Sequence, residues 1–261
     1  MSRIAEAFSV RRGRTGLIPF LTAGYPSLDG TLDLLSGLER LGVLGAEIGV
    51  PFSDPIADGP EIQRASEWAL KHRVSASEVL DLVARYRRSS NLPIVLMSYA
   101  NPILRVGFEA FAQAARAAGV DGLILSDLPP EESPEVWQAF DRAGLDTIVL
   151  VAPTTAPDRL PLILQRCRGF VYCLARTGVT GRAAGDPGVV SDRIALLRRH
   201  TRLPIAVGFG ISSGEQARGL RGLADAVVVG AALMRAVAED PARDGPGRAL
   251  ALARELIDAL S

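Results

Sequence analysis

Glu47 stands in the short apolar run Leu44-Gly45-Ala46-Glu47-Ile48-Gly49, where a carboxylate serves no packing purpose. Side chains alternate along a strand. If Ala46 and Ile48 pack on one face, Glu47 points to the other, and in a closed barrel that face is the interior. A buried, unpaired carboxyl is costly, so it finds a partner or holds its proton to unusually high pH. Two readings stand here: an ion pair with a neighbouring strand, or a group kept for proton transfer. The segment that follows, 51–60, is long, carries three prolines and contains Asp54 and Asp58. Asp58-Gly59-Pro60 has a turn reading, since Asp-Gly-Pro is a common way to open a helix. It is the length and rigidity of the loop, more than its residue types, that favour chemistry for Asp58.

Other groups narrow the reaction. Glycine-rich segments recur at Thr177-Gly178-Val179-Thr180-Gly181, Gly208-Phe209-Gly210-Ile211-Ser212 and Gly230-Ala231-Ala232. Glycines let backbone N–H groups approach an anion, and three such segments after successive strands point to a phosphorylated substrate. The single lysine, Lys71, sits near a helix end, so a Schiff-base mechanism has no nucleophile. His72 and His200, the only histidines, also lie near helix ends and form no metal cluster. Cys167 and Cys173 have neither metal-site spacing nor, in the expected compartment, a reason to pair. Acid/base catalysis by carboxylates remains, with no cofactor and no metal.

The elements that must position these groups follow one repeating unit: an amphipathic helix, a glycine stop, then a short apolar strand. Gly42, Gly119, Gly144 and Gly222 supply the stops. The strands read as 16–22, 45–49, 93–98, 122–126, 147–151, 170–174, 204–208 and 226–229. Helices are expected over 31–41, 79–87, 108–118, 132–143, 157–166, 192–200, 214–220 and 248–260. Ser75-Ala76-Ser77-Glu78 forms a capping box that opens the second of these, a helix inserted after strand 2. Strands alternating with helices predict a parallel sheet, and eight units in 261 residues favour one (β/α)8 TIM-barrel domain, 1–261, with an extra N-terminal helix, over the alternative of an open doubly wound sheet.

A formal net charge of zero gives no footprint for nucleic acid or an anionic membrane. No apolar run is long enough to span a bilayer, and the first residues carry no apolar targeting core. A cytoplasmic enzyme is the expectation.

Glu47-Ile48-Gly49-Val50-Pro51-Phe52-Ser53-Asp54-Pro55-Ile56-Ala57-Asp58-Gly59-Pro60 resembles the signature segment of the tryptophan synthase α subunits. Leu17–Gly24, Met97–Pro102, Asp127–Glu132, Arg176–Gly181 and Gly208–Ile211 extend the resemblance over nearly the whole chain in the right order. The resemblance implies retro-aldol cleavage of indole-3-glycerol phosphate to indole and glyceraldehyde 3-phosphate. It implies that Glu47 carries the proton traffic and that Asp58 stabilises the ring N–H as positive charge develops. Phe20, Ile62, Met97, Tyr99, Ile124, Tyr172 and Phe209 match positions around the indole, although Ile124 and Ile62 read equally well as barrel core. Gly181, Gly210 and Gly230 match the phosphate-binding backbone. Ala231 departs from the family's frequent serine, which implies a lost hydroxyl contact and a modestly weaker phosphate site.

Residues 176–189 resemble a mobile loop that closes over substrate, with Thr180 placed to help orient Asp58. The implied partner is a pyridoxal-phosphate β subunit in an α2β2 complex. Residues 51–55 and 101–104 would face it, and Asp54 would be the chief polar contact. Two other classes remain open on the residues alone. One is a different phosphate-binding barrel enzyme, though a synthase acting on the same substrate class wants a strand lysine that this chain lacks. The other is a non-catalytic regulator, which an intact Glu47 and Asp58 disfavour.

Overall fold

The computed structural model describes residues 1–11, 13–175, 187–208, 210–241 and 243–261. The elements run α1 (Arg3–Val10), β1 (Gly16–Thr22), α2 (Leu28–Leu41), β2 (Ala46–Gly49), α3 (Pro60–Lys71), α4 (Ala76–Arg87), β3 (Ile94–Ser98), α5 (Ala100–Leu104), α6 (Phe108–Ala118) and β4 (Gly122–Leu125). They continue with α7 (Pro134–Ala143), β5 (Asp146–Thr147), β6 (Val149–Val151), a 3-10 turn (Pro157–Arg159), α8 (Leu160–Leu164) and β7 (Val171–Leu174). The last are α9 (Pro187–Arg198), β8 (Ile205–Gly208), α10 (Gly214–Arg218), β9 (Ala226–Val229), α11 (Ala231–Glu239) and α12 (Gly245–Leu260).

Every strand pair is parallel, in the order β5-β4-β3-β2-β1-β9-β8-β7-β6. β5 and β6 are the two halves of a fifth stave, broken at Ile148. The first half bonds to β4 and the second to β7, and this closes the sheet into a (β/α)8 barrel. Alternation divides the strand residues as the sequence predicts. Ala46, Ile48, Leu17 and Leu21 belong to the large core between sheet and helices. Ile18, Val95, Ile124, Ile148, Tyr172, Ala206 and Val228 fill the barrel interior.

Helix α1 closes the N-terminal end of that interior. Ile4 enters the interior core, and Phe8 packs at 5.7 Å from Phe170. Arg3 is tied to the buried carboxylate of Asp121 at 2.8 Å, and Arg87 holds the other oxygen at 3.0 Å.

The helix ends follow local chemistry. Ser27 caps α2 by accepting from the Gly30 N–H, and Gly42, Gly119 and Gly144 take the left-handed conformation after α2, α6 and α7. The expected capping box is formed at α4, Ser75 and Glu78 each reaching back to the other's backbone. Several helix expectations need correction: α5 and α11 were not expected, and the helix expected over 192–200 is α9, Pro187–Arg198. The connection after β2 carries two helices, α3 and α4, because Pro60 is seated in the first turn of α3 and Gly59 takes its cap position. The helix expected over 157–166 is a 3-10 turn followed by one short α-helical piece, with Pro157 and Pro161 each opening a segment.

Candidate active site

The C-terminal ends of the strands form one mouth, and β1, β2 and β3 meet there in register. Phe20 pairs with Glu47 and Glu47 with Val95; one step further along the interior row, Thr22 pairs with Gly49 and Gly49 with Met97. Glu47 is fully buried, and neither of its carboxyl oxygens has a hydrogen-bond partner. The ion-pair reading therefore fails among the described residues. Burial alone pushes the Glu47 carboxyl up to about 8, so it holds a proton at neutral pH.

Asp58 hangs over the same mouth at the end of the irregular 50–59 segment. Burial raises its carboxyl to about 6, and a hydrogen bond from Tyr99 opposes that rise. The Tyr99 hydroxyl also accepts from the Ala57 N–H at 3.0 Å. Gln63 of α3 donates to the Asp58 carbonyl at 2.9 Å, which fixes the loop from its other side. Phe52 lies over the Tyr99 ring with centroids 5.0 Å apart. The two carboxyls thus sit in different environments. One is sealed and protonated; the other is held by a phenol at the rim and ionised at pH 7.

Phe20, Asp58, Ile62, Met97 and Tyr99 line one cavity, together with Gly49, Val50, Ser66, Ser98 and Ser126. The cavity encloses about 10 Å³, room for about one water. Two glycines make space for its aromatic surroundings. A Cβ on Gly49 would stand 2.5 Å from the Phe20 ring, and one on Gly208 would stand 2.4 Å from the Tyr172 hydroxyl. Tyr172 is buried in the barrel interior, and its phenol is raised by burial first, then by the nearby charges of Glu47 and Asp58. Ile124 lies in the interior core rather than on this cavity's wall.

Gly210 and Gly230 both follow strands at this end of the barrel. Gly210 is exposed with φ 86°, and Gly230 occupies the cap position of α11, whose first residue is Ala231. The N–H groups that open α11 therefore face the mouth end of the sheet. Thr180, Gly181 and Phe209 lie outside the described residues, as does 176–186 of the expected lid; the rest of that segment is the first turn of α9.

Sequence reasoning missed Thr22 and Ser126. Both hydroxyl oxygens are buried near the mouth without a partner among the described residues. Serine and threonine at strand ends give no pattern that sets them apart from turn residues. Only the coordinates reveal an unmatched hydroxyl.

A family model for the tryptophan synthase alpha chain matches residues 7–259. The tryptophan synthase alpha chain of Chromobacterium violaceum is 50% identical over 238 residues, covering 91% of each chain. That of Laribacter hongkongensis is 46% identical over 263 residues, covering 100% of this chain and 99% of the relative. Among solved structures, tryptophan synthase subunit alpha from Legionella pneumophila superposes with a TM-score of 0.91 at 35% identity, covering 100% and 98% of the two chains. Tryptophan synthase from M. tuberculosis, in an aminoacrylate-bound form, gives 0.89 at 34% identity with both chains fully covered.

Proposed function

The chain belongs to the tryptophan synthase alpha chain family, a lyase family that cleaves indole-3-glycerol phosphate in tryptophan biosynthesis, and we propose that Glu47 and Asp58 carry out that cleavage here. The observation that carries this assignment is the sealed, unpartnered carboxyl of Glu47 at the mouth, with Asp58 at the rim of the same mouth.

In the proposed reaction, protonated Glu47 gives its proton to carbon 3 of the indole ring. The ring then carries positive charge at its N–H, and the Asp58 carboxylate stabilises it. The carboxylate left at Glu47 takes the proton of the glycerol hydroxyl as the carbon–carbon bond breaks. Indole leaves neutral, an aldehyde forms, and Glu47 is protonated again. A carboxyl poised near 8 is suited to both transfers at neutral pH.

Phe20, Ile62, Met97 and Tyr99 would hold the indole, with Ile124 and Tyr172 as the floor beneath it. Gly210, Gly230 and the Ala231 N–H would hold the phosphate at the α11 N-terminus, together with Gly181. With Ala231 the phosphate keeps a backbone donor and lacks a hydroxyl. Thr180 and Phe209 would complete the enclosure.

The partner is a β subunit, in an α2β2 assembly. Exposed Ile56, Leu104 and Val106, beside Asp54, give the mouth face the apolar surface such a contact needs. We place the enzyme in the cytoplasm; no helix among the described residues is long and apolar enough to cross a membrane.

The test is indole release from indole-3-glycerol phosphate, with Glu47→Gln alongside and the β subunit added or omitted. Release that the partner stimulates and that Glu47→Gln abolishes is expected. No release under either condition overturns the assignment.

A further inference from the structure

The cleavage gives Ser126 nothing to do. It directly follows β4, its N–H continues the ladder by donating to the Ser98 carbonyl at 3.0 Å, and alternation sets it on the interior side with Ile124. Its hydroxyl oxygen is buried with no partner among the described residues, and the residue lines the cavity shared by Phe20, Asp58, Met97 and Tyr99. Ser98, on the neighbouring strand, differs: its hydroxyl donates to the Tyr99 carbonyl at 2.9 Å.

A serine hydroxyl offers one donor and two acceptor sites, and a substrate that excludes water from this cavity leaves them unmatched unless it supplies a partner. The benzo ring of indole presents only C–H groups and cannot satisfy it. A ring carrying a hydroxyl or amino group can. We propose that Ser126 is a specificity-determining residue, which opens this site to indoles bearing a hydrogen-bonding substituent on the benzo ring. The proposal rests on the cleavage assigned above and deepens it by naming a substrate class.

The reverse reaction gives the cleanest measurement. A bond forms between carbon 3 of the indole and the aldehyde carbon of glyceraldehyde 3-phosphate. Carbon 3 gives up its proton and the aldehyde oxygen gains one, so no further reactant is needed. Condensation is followed for indole, for the 4-, 5-, 6- and 7-hydroxyindoles, and for the corresponding methylindoles as controls for size. Wild type and Ser126→Ala are compared, and Ser126→Gly repeats the comparison without the hydroxyl should alanine disturb folding.

The expected result is that wild type uses at least one hydroxyindole in clear preference to its methyl counterpart. The ratio of its kcat/KM to that of indole should then fall about tenfold or more on loss of the Ser126 hydroxyl. If indole is condensed but no hydroxyindole surpasses its methyl counterpart, or the variants leave the ratio unchanged, this proposal is wrong and the cleavage stands. If wild type condenses no indole at all, the cleavage assignment fails and the proposal falls with it.

Discussion

At the residue scale the site depends on two carboxyls pushed apart by their surroundings, and their pH behaviour follows. In the proposed reaction Asp58 must be ionised to stabilise the ring N–H, and Glu47 must be protonated to begin it. Activity should therefore rise through about pH 6 and fall above about pH 8, a bell in kcat/KM against pH. The Tyr99 hydrogen bond lowers the Asp58 carboxyl. Tyr99→Phe should then move the acid limb upward while leaving the alkaline limb in place; an unmoved acid limb would separate Tyr99 from Asp58. The Glu47 shift also carries a stability consequence. Its carboxyl is raised in the fold, so the penalty is absent below the unfolded value of about 4.5 and accrues as pH rises to about 8. Glu47→Gln should abolish cleavage yet stabilise the protein, by under about 1 kcal/mol at pH 5 and on the order of 3 kcal/mol at pH 7. Denaturant midpoints at the two pH values check this, and equal differences at both would refute it. Glu47 was legible because it breaks an apolar alternation. Ser126 was not, because a hydroxyl announces itself only by the partner it lacks.

Elements explain why the carboxyls are held as they are. Strand positions were readable to within a residue because each glycine stop and apolar run is a local signal. The break of the fifth stave at Ile148 was not readable, since it arises where that stave changes hydrogen-bonding neighbours. Two other strand-end glycines have a role that was not legible in the sequence: Gly49 and Gly208 leave room for the Phe20 and Tyr172 rings. Gly208→Ala would set a methyl group 2.4 Å from the Tyr172 hydroxyl and 2.6 Å from a ring carbon. The ring must shift within the barrel interior, so kcat/KM should fall at least tenfold, with a destabilisation of about 1–3 kcal/mol from overpacking. Trimming the ring in Gly208→Ala/Tyr172→Leu should recover most of the lost stability. If the double variant is no more stable than the single, the contact is not the cause.

For the whole molecule, the sequence resemblance and the closed barrel agree from end to end, and they separate two faces with different tasks. The N-terminal face is sealed by α1, with the buried carboxylate of Asp121 between Arg3 and Arg87. The mouth face keeps large apolar side chains in water: Ile56 is 78% exposed, Leu104 57% and Val106 53%. Ile56 belongs to the same loop as Asp58, and Leu104 closes the short helix that follows Tyr99. A partner seated on these side chains would press on both ends of the Tyr99–Asp58 contact, which would give the proposed stimulation by a β subunit a physical route. Leu104 is exposed and does not line the cavity that Asp58 lines, so Leu104→Glu separates association from chemistry. A charge placed at the centre of an apolar contact should weaken β-subunit binding tenfold or more while indole release by the α chain alone persists. Titrating the β subunit against indole release reads both quantities at once. Unchanged half-saturation in the variant would move the interface away from α5, and a parallel loss of unassisted release would show that α5 supports the site itself.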